Sequence, residues 1–93
     1  MTKVSLHIEY LREGDIIVAN CPSLGVSSYG ATLEEAHQNF KDALAAFLRE
    51  TKAHGTLEQV LKERGWTQSK TPPRHWTPPA IIKQACEDVL LPA

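Results

Sequence analysis

The chain has little of what usually announces a dedicated chemistry. Its two cysteines, Cys21 and Cys86, form neither a paired metal motif nor the dense framework of a small secreted scaffold, which points to a reduced, cytoplasmic setting. No apolar run approaches the roughly 18 residues of a membrane span, and the first residues lack the basic-then-apolar order of a secretion signal. Neither membrane insertion nor export is expected. Charge of one sign is missing too: ten Lys and Arg face eleven Asp and Glu, so no global basic field demands a nucleic-acid partner. GxGxxG, GxxxxGK[ST] and HExxH are all absent, and His7, His37, His54 and His75 are scattered without metal-ligand spacing. No cofactor and no metal is expected.

What is present suits one small folded domain. An apolar content of 42% supplies a globular core and is too high for an obligatorily disordered chain. With 93 residues, however, the chain buries only about 60 to 65% of its extended surface, and a homodimer or homotetramer becomes an expectation.

Val4, Leu6, Ile8 and Tyr10 alternate with Ser5, His7 and Glu9, the period of a strand with one buried face. A turn at Arg12-Glu13-Gly14-Asp15 leads into Ile16-Ile17-Val18-Ala19, a β-branched run that predicts the second arm of a hairpin. Asn20-Cys21-Pro22-Ser23 then predicts a bend, because Pro22 lacks a backbone donor. Gly25-Val26-Ser27-Ser28-Tyr29 supplies a third short strand, with Gly30 as its exit.

Thr32-Leu33-Glu34-Glu35 is a capping box, in which Thr32 accepts an orphan helical N–H and Glu35 reaches back to the cap. Leu33, Ala36, Phe40, Ala43, Leu44, Phe47 and Leu48 follow at three- and four-residue spacings, an apolar stripe able to cover the sheet. Gly55 interrupts the helix. Thr56-Leu57-Glu58-Gln59 predicts a second capped helix holding Val60 and Leu61, ended by Gly65.

After Gly65 the Pro72-Pro73 and Pro78-Pro79 pairs oppose regular structure, so residues 1–65 read as a sheet-helix domain and residues 66–93 as a Pro-rich arm. A short amphipathic helix from about Pro78, with Ile82, Ala85, Cys86 and Val89 on one side, is allowed there. Between Lys62 and Lys83 the cations Lys62, Arg64, Lys70, Arg74 and Lys83 face Glu63 alone, a local basic excess beside Trp66 and Trp76. Contact with a protein partner, local packing and base stacking are three readings of this region. Trp66, Lys70, Arg74, Trp76 and Lys83 are the partner-binding candidates. Packing explains Cys21, Cys86 and His37 better than catalysis, and no catalytic residue is assigned. Glu9 and Asp15, if brought together across the hairpin, are the carboxylates that an alternative metal-dependent nuclease would use.

The stretch CPSLGVSSYGATLEEAHQNFKDALAAFLRE resembles HicB-type antitoxins and small HicB-like proteins. The residues that carry the resemblance are Leu24-Gly25, Gly30, Thr32-Leu33-Glu34-Glu35-Ala36, Asn39, Ala43-Leu44 and Phe47-Leu48, and with the preceding hairpin it covers about residues 3–65. The family's P-x-L-P-G-like turn is altered here to Cys21-Pro22-Ser23-Leu24-Gly25-Val26. The resemblance implies an α+β, partial ribonuclease H-like fold: a three-stranded antiparallel sheet, with room for a fourth strand, packed by one long helix and a second short one. It further implies an antitoxin-like protein that binds a small HicA-type RNA-cleaving toxin and masks its RNA-facing or catalytic surface. Many relatives add a DNA-binding module, which would make a transcriptional regulator. Here the short Pro-broken arm after Gly65 counts against direct DNA binding.

Overall fold

The computed structural model describes residues 3–92. Strand β1 (Glu9–Glu13) pairs antiparallel with β2 (Ile16–Cys21), and β2 pairs antiparallel with β3 (Val26–Gly30), giving a sheet of order β1-β2-β3. Helices α1 (Leu33–Ala53) and α2 (Leu57–Glu63) follow. A separate two-stranded ribbon, β4 (Thr67–Gln68) with β5 (Trp76–Thr77), lies beyond them. The chain is a small α+β domain in which one long and one short helix pack a three-stranded antiparallel sheet. Among the described residues, no fourth strand joins that sheet.

The first hairpin turns at Gly14-Asp15, with φ of 61° at Gly14, the left-handed conformation that a two-residue loop of this kind requires at its first position. The period-two pattern from Val4 was expected to form the first strand, but the ladder begins only at Glu9, opposite Asn20. In that register Ile8 would face Cys21, the last residue of β2, and earlier residues would have to pair beyond it, where Pro22 and the turn back to Val26 remove the partner strand. Leu6 and Ile8 still pack against the core as an unpaired lead-in, while Val4 stays exposed. The bend predicted at Asn20 also comes later, since β2 runs through Cys21.

Alternation along β2 puts Ile17, Ala19 and Cys21 inside, and Phe40 of α1 fills the space above them, 1% exposed. Helix and sheet approach closely because the contact residues are small: Ala19, Ala36 and Gly30. A Cβ built on Gly30 would stand 2.5 Å from the backbone nitrogen of Ala36. Asn39 adds a polar tie, its Nδ2 donating to the Tyr29 carbonyl at 2.8 Å. Of the predicted stripe, Leu44 and Phe47 are partly buried and Leu33, in the first turn, is exposed; Leu48 is exposed as well, because a helix of 21 residues runs about 31 Å and overshoots a sheet of short strands.

Thr32 caps α1 as expected, its Oγ1 accepting from the Glu35 N–H at 3.1 Å. The return bond goes one residue further than a standard capping box, from the Ala31 N–H to Glu35 Oε1 at 3.4 Å. The second box does not form. Thr56 follows α1 so directly that its N–H bonds the Thr51 carbonyl at 2.9 Å, and with the Gly55 N–H on the Lys52 carbonyl this is a Schellman closure of α1. The Thr56 hydroxyl also turns to Thr51, and Gln59 pairs with Glu63 instead of a cap. Gly65 closes α2 the same way, with the Trp66 N–H on the Leu61 carbonyl at 3.0 Å.

Residues 78–92 form neither helix nor strand, so the short amphipathic helix allowed there is not formed and Cys86 is exposed. Such a segment is near the length at which a helix is marginal unless its apolar side is covered. Among the described residues, no helix is long and apolar enough to cross a membrane.

Gly30→Ala should lower stability by about 1–3 kcal/mol, because backbone rather than a flexible side chain occupies the space its methyl needs. Gly14→Ala meets open space and should cost only about 1 kcal/mol through its positive φ. Urea denaturation of the two variants checks the order.

Candidate functional site

Two surfaces stand out. The first is the sheet face turned away from α1. Cross-strand partners share a face, and the register aligns Leu11, Val18 and Tyr29 in one row across all three strands. Leu11 and Tyr29 are 47% and 64% exposed, far more than the inward residues of β2. Glu9 and Glu13 flank the row on the same face of β1, with Asn20 and Ser27 completing the Glu9 side and Ile16 opposite Glu13. An open sheet face of this kind is held rigid by ladder hydrogen bonds and has no covering layer.

The second surface is an apolar groove of about 280 Å³ where α1, α2 and the β4–β5 ribbon meet. Leu44 and Leu48 come from α1, Leu57 and Leu61 from α2, and Trp66, Arg74, His75 and Trp76 from the segment after Gly65. The ribbon is tied by the Ser69 N–H on the His75 carbonyl at 3.0 Å and by the His75 N–H on Ser69 Oγ at 3.1 Å.

The structure brings three of the five partner-binding candidates together in this groove: Trp66, Arg74 and Trp76. Trp66 is 6% exposed, and its indole N–H donates to the Ser23 carbonyl at 2.9 Å. Its surface is therefore used within the fold, where it joins the core cluster to the β2–β3 turn. Trp76 is partly buried against the same cluster, and Arg74 is exposed at the margin. Lys70, in the β4–β5 connection, and Lys83, in the extended tail, are exposed and do not line the groove. Of the basic residues read along this stretch, Arg74 alone lines the groove, and Arg64 lies over Gly25 beside a separate hollow.

Glu9 and Asp15 do not meet. Glu9 pairs with Asn20 at the far end of β1 and Asp15 sits in the turn, so the strand alone separates them by about 13 Å. Among the described residues no group of three or more His, Cys, Asp or Glu is placed to hold a metal ion. The nuclease alternative is left without its pair of carboxylates. His37 shares a 2.7 Å hydrogen bond with the Tyr10 hydroxyl at the edge of the helix, and Cys21 is buried 3.5 Å from the Ser23 hydroxyl. A second hollow, about 310 Å³, is bounded by Ser5, His7, Pro22, Ser23, Arg64 and the chain from Pro78 to Ile81.

Sequence reasoning missed the outward row. The phase of the strands already placed Glu9 on that face, but only the ladder register shows that Leu11, Val18 and Tyr29 meet.

The chain matches no known family model, no curated protein and no solved structure.

Trp66→Ala should cost about 3–5 kcal/mol of folding stability, whereas Trp66→Phe, which keeps most of the ring and loses the bond to Ser23, should cost about 1–2 kcal/mol. Thermal unfolding of both variants separates a packing role for this residue from a surface role.

Proposed function

We propose that the chain is an antitoxin-like binding protein that masks the RNA-facing or catalytic surface of a small HicA-type RNA-cleaving protein. The observation that carries the reading is the outward row Leu11, Val18 and Tyr29 between the carboxylates Glu9 and Glu13. A protein that grips RNA presents a basic surface, and an acidic-rimmed apolar strip on a rigid sheet complements it in charge. Tyr29 is suited to be the anchor, since exposed aromatic side chains contribute disproportionately once they enter a partner's pocket. Because the ladder preorganises the face, little ordering opposes binding. A carboxylate-flanked face repels phosphates, so the same observation disfavours RNA or DNA as the direct ligand.

Other features fit the same reading. Gly30, Thr32, Glu35, Ala36 and Asn39, five of the residues that carry the resemblance to HicB-type proteins, all work at the junction of β3 with α1. In a partial ribonuclease H-like domain they would be the device that presents the sheet.

The test is to express the chain with a small basic RNA-cleaving protein encoded beside it, isolate the complex and measure RNA cleavage. The chain should suppress cleavage in stoichiometric amounts. Tyr29→Ala should weaken the complex by about 2 kcal/mol, roughly 30-fold in Kd, without unfolding the domain. Glu9→Lys with Glu13→Lys should slow association most at low salt. Suppression that persists undiminished in Leu11→Lys, Tyr29→Ala overturns the assignment of this face, and failure to bind such a protein overturns the proposal.

A further inference from the structure

The tail exposes apolar side chains that its own chain does not cover. Ile82, Val89, Leu90 and Leu91 are 96%, 72%, 99% and 83% exposed. Their order is not random: Ile82, Ala85, Cys86, Val89 and Leu90 occupy positions i, i+3, i+4, i+7 and i+8, one face of a helix. Electrostatics explains why that helix is absent from the isolated chain. Lys83 would lie near its start and Glu87 and Asp88 near its end, the reverse of what the helix dipole favours. A cation supplied near the last turn and an apolar bed under Ile82 and Val89 would remove both obstacles.

The groove supplies both. Its floor is Leu44, Leu48, Leu57 and Trp76, and Arg74 and His75 stand exposed at its margin. We propose that this groove receives residues 80–91 of a second copy as an amphipathic helix, and that the exchange is reciprocal, giving a symmetric dimer. Glu87 and Asp88 of each tail then face Arg74 of the other chain. Disposing of a tail and a groove at once is the self-complementary arrangement that two-fold symmetry requires.

Geometry favours a second copy over the chain's own tail. Pro78, Pro79, Ala80 and Ile81 line the other hollow with His7 and Pro22, so the tail departs on a different side from the groove. Between Pro79 and Asp88 there is no Gly, Asn or Ser to make the sharp reversal that a return would need. The tail accordingly extends the particle: the radius of gyration is 16.0 Å, against about 12 Å for a compact chain of this length.

The experiment uses the full chain. Analytical ultracentrifugation across a wide concentration range should show a reversible monomer–dimer equilibrium, and circular dichroism should show helix content rising with the dimer fraction. Ile82→Asp with Val89→Asp should weaken dimerisation by about tenfold or more while leaving the monomer folded. Arg74→Glu should weaken it as well, and adding Glu87→Lys with Asp88→Lys should restore it. A chain that stays monomeric at every concentration overturns the proposal. So does a dimer indifferent to the tail substitutions, which would place the contact elsewhere, or a concentration-independent gain of helix, which would mean that the tail folds onto its own groove.

Discussion

The close approach of α1 to the sheet is the constraint on which the rest of the molecule depends. Gly30 has no side chain because the backbone of Ala36 occupies the place where one would stand, and Ala19 and Ala36 keep the two layers near enough for Phe40 to fill the core. A helix held at that distance can be positioned by a few short-range bonds, namely the Thr32 cap and the Asn39 bond to Tyr29. With so small a chain, the fully buried set is confined to this junction and to its extension through Leu24, Leu61 and Trp66.

One consequence is that the sheet has one covered face and one free face. The inward residues Ile17, Ala19 and Cys21 are committed to α1, and the same strands necessarily present Leu11, Val18 and Tyr29 on the other side. A second consequence comes from the length of α1. Its C-terminal half runs past the sheet, and α2, Trp66 and Trp76 pack back against that overhang, leaving the groove between them. The proposed masking face and the proposed dimer groove are therefore separate products of one packing arrangement, located on different sides of the junction. A dimer joined through its tails would leave both sheet faces available, so each copy could engage a partner.

Local patterns were legible where local physics sets the structure. The hairpin over Gly14-Asp15, strands β2 and β3, the α1 start at Thr32 and the endings at Gly55 and Gly65 all follow from turn chemistry, capping and periodicity within a few residues. The failures share a cause, which is a partner distant in sequence. Val4–Ile8 has strand alternation but no strand opposite it once Pro22 ends the ladder. Thr56 has the letters of a cap but is recruited to close the preceding helix. The tail has the spacing of a helix and nothing of its own chain beneath it. For Trp66, which the sequence left between partner contact and local packing, the deciding neighbour is the Ser23 carbonyl, far away in sequence, which receives its indole N–H.

By itself the sequence determined the α+β composition and the limits of β2, β3, α1 and α2 to within a few residues, because each of these rests on interactions between near neighbours. Only the tertiary structure decided which candidates share a surface: that Trp66 is core, that Arg74 and Trp76 border one groove while Lys70 and Lys83 lie apart, and that Glu9 and Asp15 sit at opposite ends of a strand. Ladder register and the packing angle of a long helix set those distances, and both arise from burying apolar area across the whole chain rather than from any stretch of it.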